Sequence, residues 1–347
     1  MEAPVFVVGT GRCGSTMLSE MLRAHPRRVS LSEFWSIVTD LGGRIAETFP
    51  DGPVTAEAFW DLIGGVHPMQ ATLLRHGVAM DEVLYRTGPG RRFTAESGIP
   101  AILQTVLPHL SGSPDALFDE VRSFVATLPT APAAAQYRAL FDWLAARFDR
   151  SGWIERSGGS LRIVARLHQA FPDARFVHLV RDGRDCAQSM SRHPGFRMAL
   201  IGAQLTEILG VDPYTSPDRA GEGDLPDELV PFLPERFDPV AFVRYETPLT
   251  LCGHYWSGEC MAGARELASV GSDRVLTLWY EDILAHPARA LEQLDGFLGS
   301  GAGSSEWITR SAAAVRAPRS SWRALPPDAL RELEEACAPG FAALGAG

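Results

Sequence analysis

The sequence predicts an α/β protein, a parallel sheet flanked by helices. Three observations carry that prediction. Strand-length apolar runs occur at Val5–Val8, Ala174–Val180 and Arg274–Leu278. The first two pass directly into a glycine-bearing turn and a helix, and helical periodicity fills the stretches between the runs. Strands separated by helices pair in parallel and are covered on both faces.

The first unit is VFVVGTGRCGSTMLSEML, from Val5. Val5–Val8 reads as a buried strand and Gly9–Gly14 as a turn. Ser15–Ala24 reads as a helix, with Met17, Leu18, Met21 and Leu22 at helical spacing and His25-Pro26 stopping it. Residues 41–150 are mostly amphipathic helix, with Phe59, Trp60, Leu62 and Ile63 early and Phe141, Trp143, Leu144 and Phe148 late. They read as a largely helical insertion covering the mouth of the sheet. The second unit is ARFVHLV, Ala174–Val180, followed by the turn RDGRD and a helix from Arg184 to Ser191. Residues 195–250 read as an irregular excursion, because Val211–Pro239 is rich in Pro, Asp and Gly and shows no period. A lid and a passive loop fit it equally. Leu251–Ala268 reads as a helix, Arg274–Leu278 as a strand, and Pro287–Leu298 and Pro326–Leu344 as helices. The whole, 1–347, reads as a single domain.

Composition narrows the function. The 347 residues are 46% hydrophobic, enough for a large core. A net charge of −10 speaks against a broad nucleic-acid face. No apolar run is long enough to span a bilayer, so the expectation is a soluble, cytoplasmic chain with no membrane partner. The five cysteines are odd in number and lack paired CxxC spacing, so neither zinc nor a redox pair is expected, and no metal site. Every one of the 32 Lys+Arg positions is arginine.

The glycine turn is a phosphate cradle by type, with backbone N–H groups at a helix N-terminus. Gly9, Gly11 and Gly14 match G-x-G-x-x-G, yet no acidic residue closes a second strand about 20 residues on. Gly9 and Gly14 also match the P-loop pattern, but Ser15 stands where its lysine belongs, with Thr16 after it. Arg12 sits inside the loop instead, where a guanidinium reaches the oxygens of a seated anion.

GTGRCGSTML resembles the 5′-phosphosulfate loop of the sulfotransferases that use 3′-phosphoadenosine 5′-phosphosulfate (PAPS), above all the bacterial and tyrosylprotein sulfotransferases. In VRDGRDCAQS, Arg181 ends a strand and Ser189 follows eight residues later, which resembles that family's 3′-phosphate site. LWYEDIL, from Leu278, is similar to its late strand and Tyr-Glu-Asp turn. AHPRRVSLSE, ending at Glu33, resembles the stretch that carries the catalytic glutamate after a second strand.

The resemblance implies a P-loop-like fold whose insertion, 41–150, covers the active site as an acceptor-binding cap. It also implies transfer of a sulfuryl group from PAPS to a hydroxyl by in-line displacement, leaving 3′-phosphoadenosine 5′-phosphate (PAP). Glu33 and Arg12 would be catalytic. Gly11, Arg12, Cys13, Gly14, Ser15 and Thr16 would hold the 5′ end and Arg181 and Ser189 the 3′-phosphate; Met17 stands where many members carry the aromatic that stacks on the adenine, and Tyr280 is one candidate to replace it. Arg319 and Trp322, in RSSWR, resemble a late cofactor-contacting stretch and also read as a helix-entry turn, while Arg156 resembles a residue near the sulfonate and also reads as a salt-bridge partner. The acceptor is a hydroxyl-bearing small molecule, glycan or carrier-bound intermediate, and the oligomeric state is open.

Alternatives stand beside these readings. Glu33 also reads as a helix N-cap companion after Ser30 and Ser32. The rival base is a histidine, among His67, His109, His168 and His193, while His25 and His178 read as packing residues. Cys13 also reads as a small packing residue. A P-loop kinase and a catalytically inactive nucleotide-binding module are the competing functions.

Overall fold

Val5, Phe6, Val7 and Val8 form the central strand β1 and are almost wholly buried, as a parallel strand covered on both faces must be. The computed structural model describes residues 2–78, 80–299, 304–316 and 322–345. Its strands are β1 (Val5–Val8), β2 (Arg28–Ser32), β3 (Pro53–Val54), β4 (Ala131–Pro132), β5 (Gly152–Arg156), β6 (Arg175–Val180) and β7 (Val275–Trp279). Five make one parallel sheet in the order β2-β5-β1-β6-β7, and β3 pairs antiparallel with β4 apart from it.

Alternation along β1 sorts the core into two layers. Phe6 and Val8 face a cluster that includes Leu31, Phe34, Trp35, Tyr137, Phe141 and Trp153, joining the sheet to helices of the 41–150 stretch. Val5 and Val7 face Leu18, Leu22, Val177, Trp256 and Leu291 on the other side. Each such side chain contributes roughly 1.5–3 kcal/mol on burial.

Register decides where the chemistry lies. Val7 pairs with Arg156, Val8 with His178, Ser32 with Arg156 and Val180 with Trp279. The strands therefore end together. Gly9–Gly14, Glu33, Ser157–Gly159, Arg181 and Tyr280 all emerge at this one C-terminal edge, where open α/β sheets bind ligands.

Two expectations are corrected. Residues 195–209 are not irregular: Pro194–Leu209 is a helix with Pro in its first turn and a left-handed Gly210 after it. Its Met198, Ile201, Leu205 and Leu209 recur at helical spacing and pack with Leu73, Tyr214, Phe232 and Phe242. The irregular stretch is confined to the residues after it, which form short 3-10 turns at Glu222–Asp224, Val230–Phe232 and Pro234–Arg236 before a helix at Pro239–Arg244. The second correction is β5, where the sequence shows no strand, because its buried Glu155 and Arg156 interrupt the apolar run. No helix of the described residues is long and apolar enough to cross a membrane.

Candidate active site

The loop after β1 gains its shape from two left-handed residues, Arg12 at φ 63° and Gly14 at φ 89°, after which the helix Ser15–Arg23 begins. The backbone N–H groups of Arg12, Gly14 and Thr16 meet no backbone acceptor among the described residues. They form the open end of a helix, a ready site for an anion. Two aromatic rings lie on the loop. A Cβ on Gly14 would fall 2.2 Å from the Tyr280 ring and one on Gly11 2.1 Å from the Phe196 ring. Cys13 points the other way, into the core, and burial pushes its thiol up to about 11. Only its backbone belongs to the loop.

Glu33 follows β2 directly and is itself left-handed, φ 57°. Its side chain makes no capping bond to the helix Phe34–Val38. It turns instead toward β5, where Arg156 Nη1 donates to Oε1, Gly158 N–H donates to Oε2 at 2.9 Å and Ser36 Oγ donates to Oε2 at 2.6 Å. Arg156 also donates to Ser15 Oγ at 3.2 Å and Ser32 Oγ at 2.6 Å. Arg156 is 2% exposed, beneath the cavity rather than in its wall, and Glu33 is 5% exposed with its carboxylate in the wall. One buried cation thus ties the loop helix, β2 and β5 to the Glu33 carboxylate. Beside it, burial pushes the Glu155 carboxyl up to about 8, against hydrogen bonds from Ser157 and the Trp35 N–H.

Arg181, at the end of β6, donates through Nη1 to the Arg12 carbonyl at 3.1 Å, and its Cζ lies 4.7 Å from the Tyr280 ring centre. Its Nε is buried without a hydrogen-bond partner among the described residues. Ser189, two turns into the helix Gly183–Ser191, accepts from Arg12 Nε at 3.0 Å. Arg12 Nη1 lies 2.5 Å from Glu82 Oε1, and both Glu82 oxygens lie 3.1 Å from His193 Nε2. Burial works against the Glu82 charge, but the hydrogen bond from His193 and the charges of His193 and Arg12 outweigh it, lowering its carboxyl to about 2.

These groups share one cavity of about 590 Å³. Gly11, Arg12, Gly14, Ser15 and Thr16 line its floor together with Glu33, Arg181, Ser189 and Tyr280. Trp35, Ile37, Ile163, Phe196, Leu200 and Tyr255 add apolar surface to its lining.

The remaining sequence-selected residues lie elsewhere. Trp322 packs its ring on Arg184, 3.7 Å from Cζ, and its backbone N–H donates to Asp185 Oδ1 at 3.0 Å, outside the cavity. Arg319 lies outside the described residues. His67 and His109 are buried away from the cavity, where desolvation lowers them to about 4 and about 3, and His168 does not line it. His193 does line it, turned to Glu82. His25 is buried, its Nδ1 accepting from the N–H groups of Arg27 and Arg28, and buried His178 is lowered to about 4. Among the described residues no group of three or more His, Cys, Asp or Glu could hold a metal ion.

Sequence reasoning missed Glu82, Ser36 and Phe196. Glu82 lies in a stretch without period, so no local signal marks it; its role comes from tertiary contact alone.

The family model described as the sulfotransferase family matches residues 4–216, more than half of the chain. No curated protein matches the chain. Among solved structures, the sulfotransferase domain from the curacin biosynthetic pathway is 15% identical, with a TM-score of 0.46 over 95% of this chain and 82% of that one. A sulfotransferase from Mycobacterium avium is 14% identical, with a TM-score of 0.44 over 96% of this chain and 75% of that one. The sulfotransferase domain from the Synechococcus PCC 7002 olefin synthase is 16% identical, with a TM-score of 0.42 over 96% and 94%.

Proposed function

The chain belongs to the sulfotransferase family, and from that premise we propose that it transfers the sulfuryl group of PAPS to the hydroxyl of an uncharged, apolar small molecule, with Glu33 as general base. The observation that supports this reading most is the Glu33 carboxylate itself. It lines the cavity beside the loop and is oriented by Arg156, Ser36 and Gly158.

The residues fit the cofactor. The loop offers N–H groups without backbone acceptors, and Arg181 carries a buried Nε without a partner. When bound, PAPS supplies the sulfuryl group and a phosphate leaving group. The N–H groups of Gly14, Ser15 and Thr16 with the two hydroxyls hold the 5′-phosphate. Arg12 would neutralise charge developing on the bridging oxygen. Arg181 and Ser189 would hold the 3′-phosphate, a charge that ADP and ATP lack at that position. The Tyr280 ring, already against the Arg181 guanidinium, offers a face to the adenine.

Glu33 Oε would accept the proton of the acceptor hydroxyl as that oxygen bonds to sulfur and the sulfur–oxygen bond to the 5′-phosphate breaks, releasing PAP, while Arg156 keeps the carboxylate aimed at the cavity. No metal is needed for this charge balance, since arginines and backbone dipoles supply it. Walls of Ile37, Ile163, Leu200 and Tyr255 favour an aliphatic or ring-built alcohol over a glycan, whose many hydroxyls would be buried unpaired.

The test uses radiolabelled PAPS with a series of neutral alcohols from hexan-1-ol to dodecan-1-ol and ring alcohols of similar size. Labelled sulfate ester should form, and Glu33→Gln should lower its turnover by roughly 10² to 10⁴ while retaining affinity for PAP. Equal turnover in the two proteins would remove Glu33 from the mechanism. Transfer to glycans alone would overturn the acceptor assignment.

A further inference from the structure

Glu33 and Glu82 are the carboxylates that line the cavity, and they differ in origin. Glu33 belongs to the sheet edge. Glu82 belongs to the 41–150 insertion, to which its turn is fastened: the Val83 N–H donates to Met80 O at 3.1 Å, Thr105 Oγ1 to Glu82 O at 2.5 Å, and the N–H groups of Leu84 and Tyr85 to Gln104 O at 2.8 and 3.0 Å. Tyr85, 4% exposed, anchors the segment in the core. The Glu82 side chain crosses to the sheet edge and meets Arg12 and His193. Arg12 is at the same time bound through Nε to Ser189. Two of the residues that would meet the cofactor's anions, Arg12 and Ser189, are therefore held in a network that the insertion completes.

A carboxylate in contact with a guanidinium and an imidazole has the chemistry of a phosphate or sulfonate oxygen in that place. Two such anions cannot both occupy one guanidinium edge without strong repulsion. We propose that Glu82 is an internal counter-anion that occupies Arg12 until the 5′ end of the cofactor displaces it, so that cofactor binding detaches the insertion from the loop. The proposal rests on the reading that Arg12 meets the cofactor. Its consequence is an ordered event. In the free protein the insertion is tied over the cradle, and the competing anion loosens that tie on the acceptor side of the cavity.

A competitor built into the protein raises the apparent dissociation constant by the reciprocal of the fraction of molecules in which Arg12 is free, tenfold where about one molecule in ten has it free. Removing its charge should therefore tighten PAP binding by roughly tenfold. Calorimetric titration of PAP into the wild-type chain and Glu82→Gln tests this. A lower dissociation constant in the variant is expected; an equal or higher one would overturn the proposal and leave Glu82 a residue that merely positions Arg12. Absence of PAP binding in the wild type would instead overturn the cofactor reading. If Glu82→Gln does not fold, amide hydrogen exchange of residues 80–85 in the wild type decides. Saturating PAP should accelerate it, and unchanged or slower exchange contradicts the displacement.

Discussion

The Tyr280 ring lies against the α-carbon of Gly14, so close that a Cβ there would fall 2.2 Å from it. Gly14 is also left-handed, at φ 89°, as the turn from β1 into the following helix requires. Both facts act on the same residue, and they link the loop to β7 and to Arg181, whose guanidinium lies 4.7 Å from the centre of that Tyr280 ring.

Gly14→Ala should therefore lose stability twice, through the left-handed backbone at about 1–2 kcal/mol and through displacement of the ring. Thermal unfolding should report a lower melting temperature. Calorimetry should report weaker PAP binding, since Tyr280 and Arg181 would move together. Unchanged affinity would mean that the ring takes no part in cofactor binding.

Glu155 supplies a pH signature. Burial holds its proton in the folded chain to about 8, whereas the ordinary value is 4.5. Between those values the native state binds more protons than the unfolded state, so stability falls as pH rises. The contribution is complete below about 4.5 and lost on passing about 8. Glu155→Gln keeps an acceptor for Ser157 and carries no proton to lose. Its melting temperature, set against that of the wild type from pH 5 to 8.5, should decline less with pH. Parallel curves would contradict the burial argument.

The fold was legible where burial is uniform. Val5–Val8 and Arg175–Val180 are central strands covered on both faces, so the first appears as an unbroken apolar run and the second as one interrupted only by buried His178. β5 was not legible, since Glu155 and Arg156 occupy core positions that only their partners Ser157, Ser32 and Glu33 make tolerable. The site divides in the same way. Arg12 could be found because it sits inside the glycine loop itself, and Arg181 and Ser189 because VRDGRDCAQS resembles the family's 3′-phosphate stretch. Glu33 could be found through the resemblance of AHPRRVSLSE to the family's glutamate-bearing stretch, but not its pairing with Arg156, 123 positions away. Glu82 could not be found, because its contact with Arg12 depends on how an aperiodic segment packs. Cys13 and Trp322 show the converse, side chains in motif-like stretches that point away from the cavity.

The central claim is that this cradle holds a nucleotide with a 3′-phosphate. Calorimetric titration of PAP, beside ADP with Mg²⁺, tests it most directly on the wild type and on Arg181→Ala. The account predicts binding of PAP in clear preference to ADP, weakened by roughly 10- to 100-fold in the variant, the scale of a lost charged hydrogen bond. Preference for ADP with Mg²⁺, or PAP binding indifferent to Arg181, would contradict it.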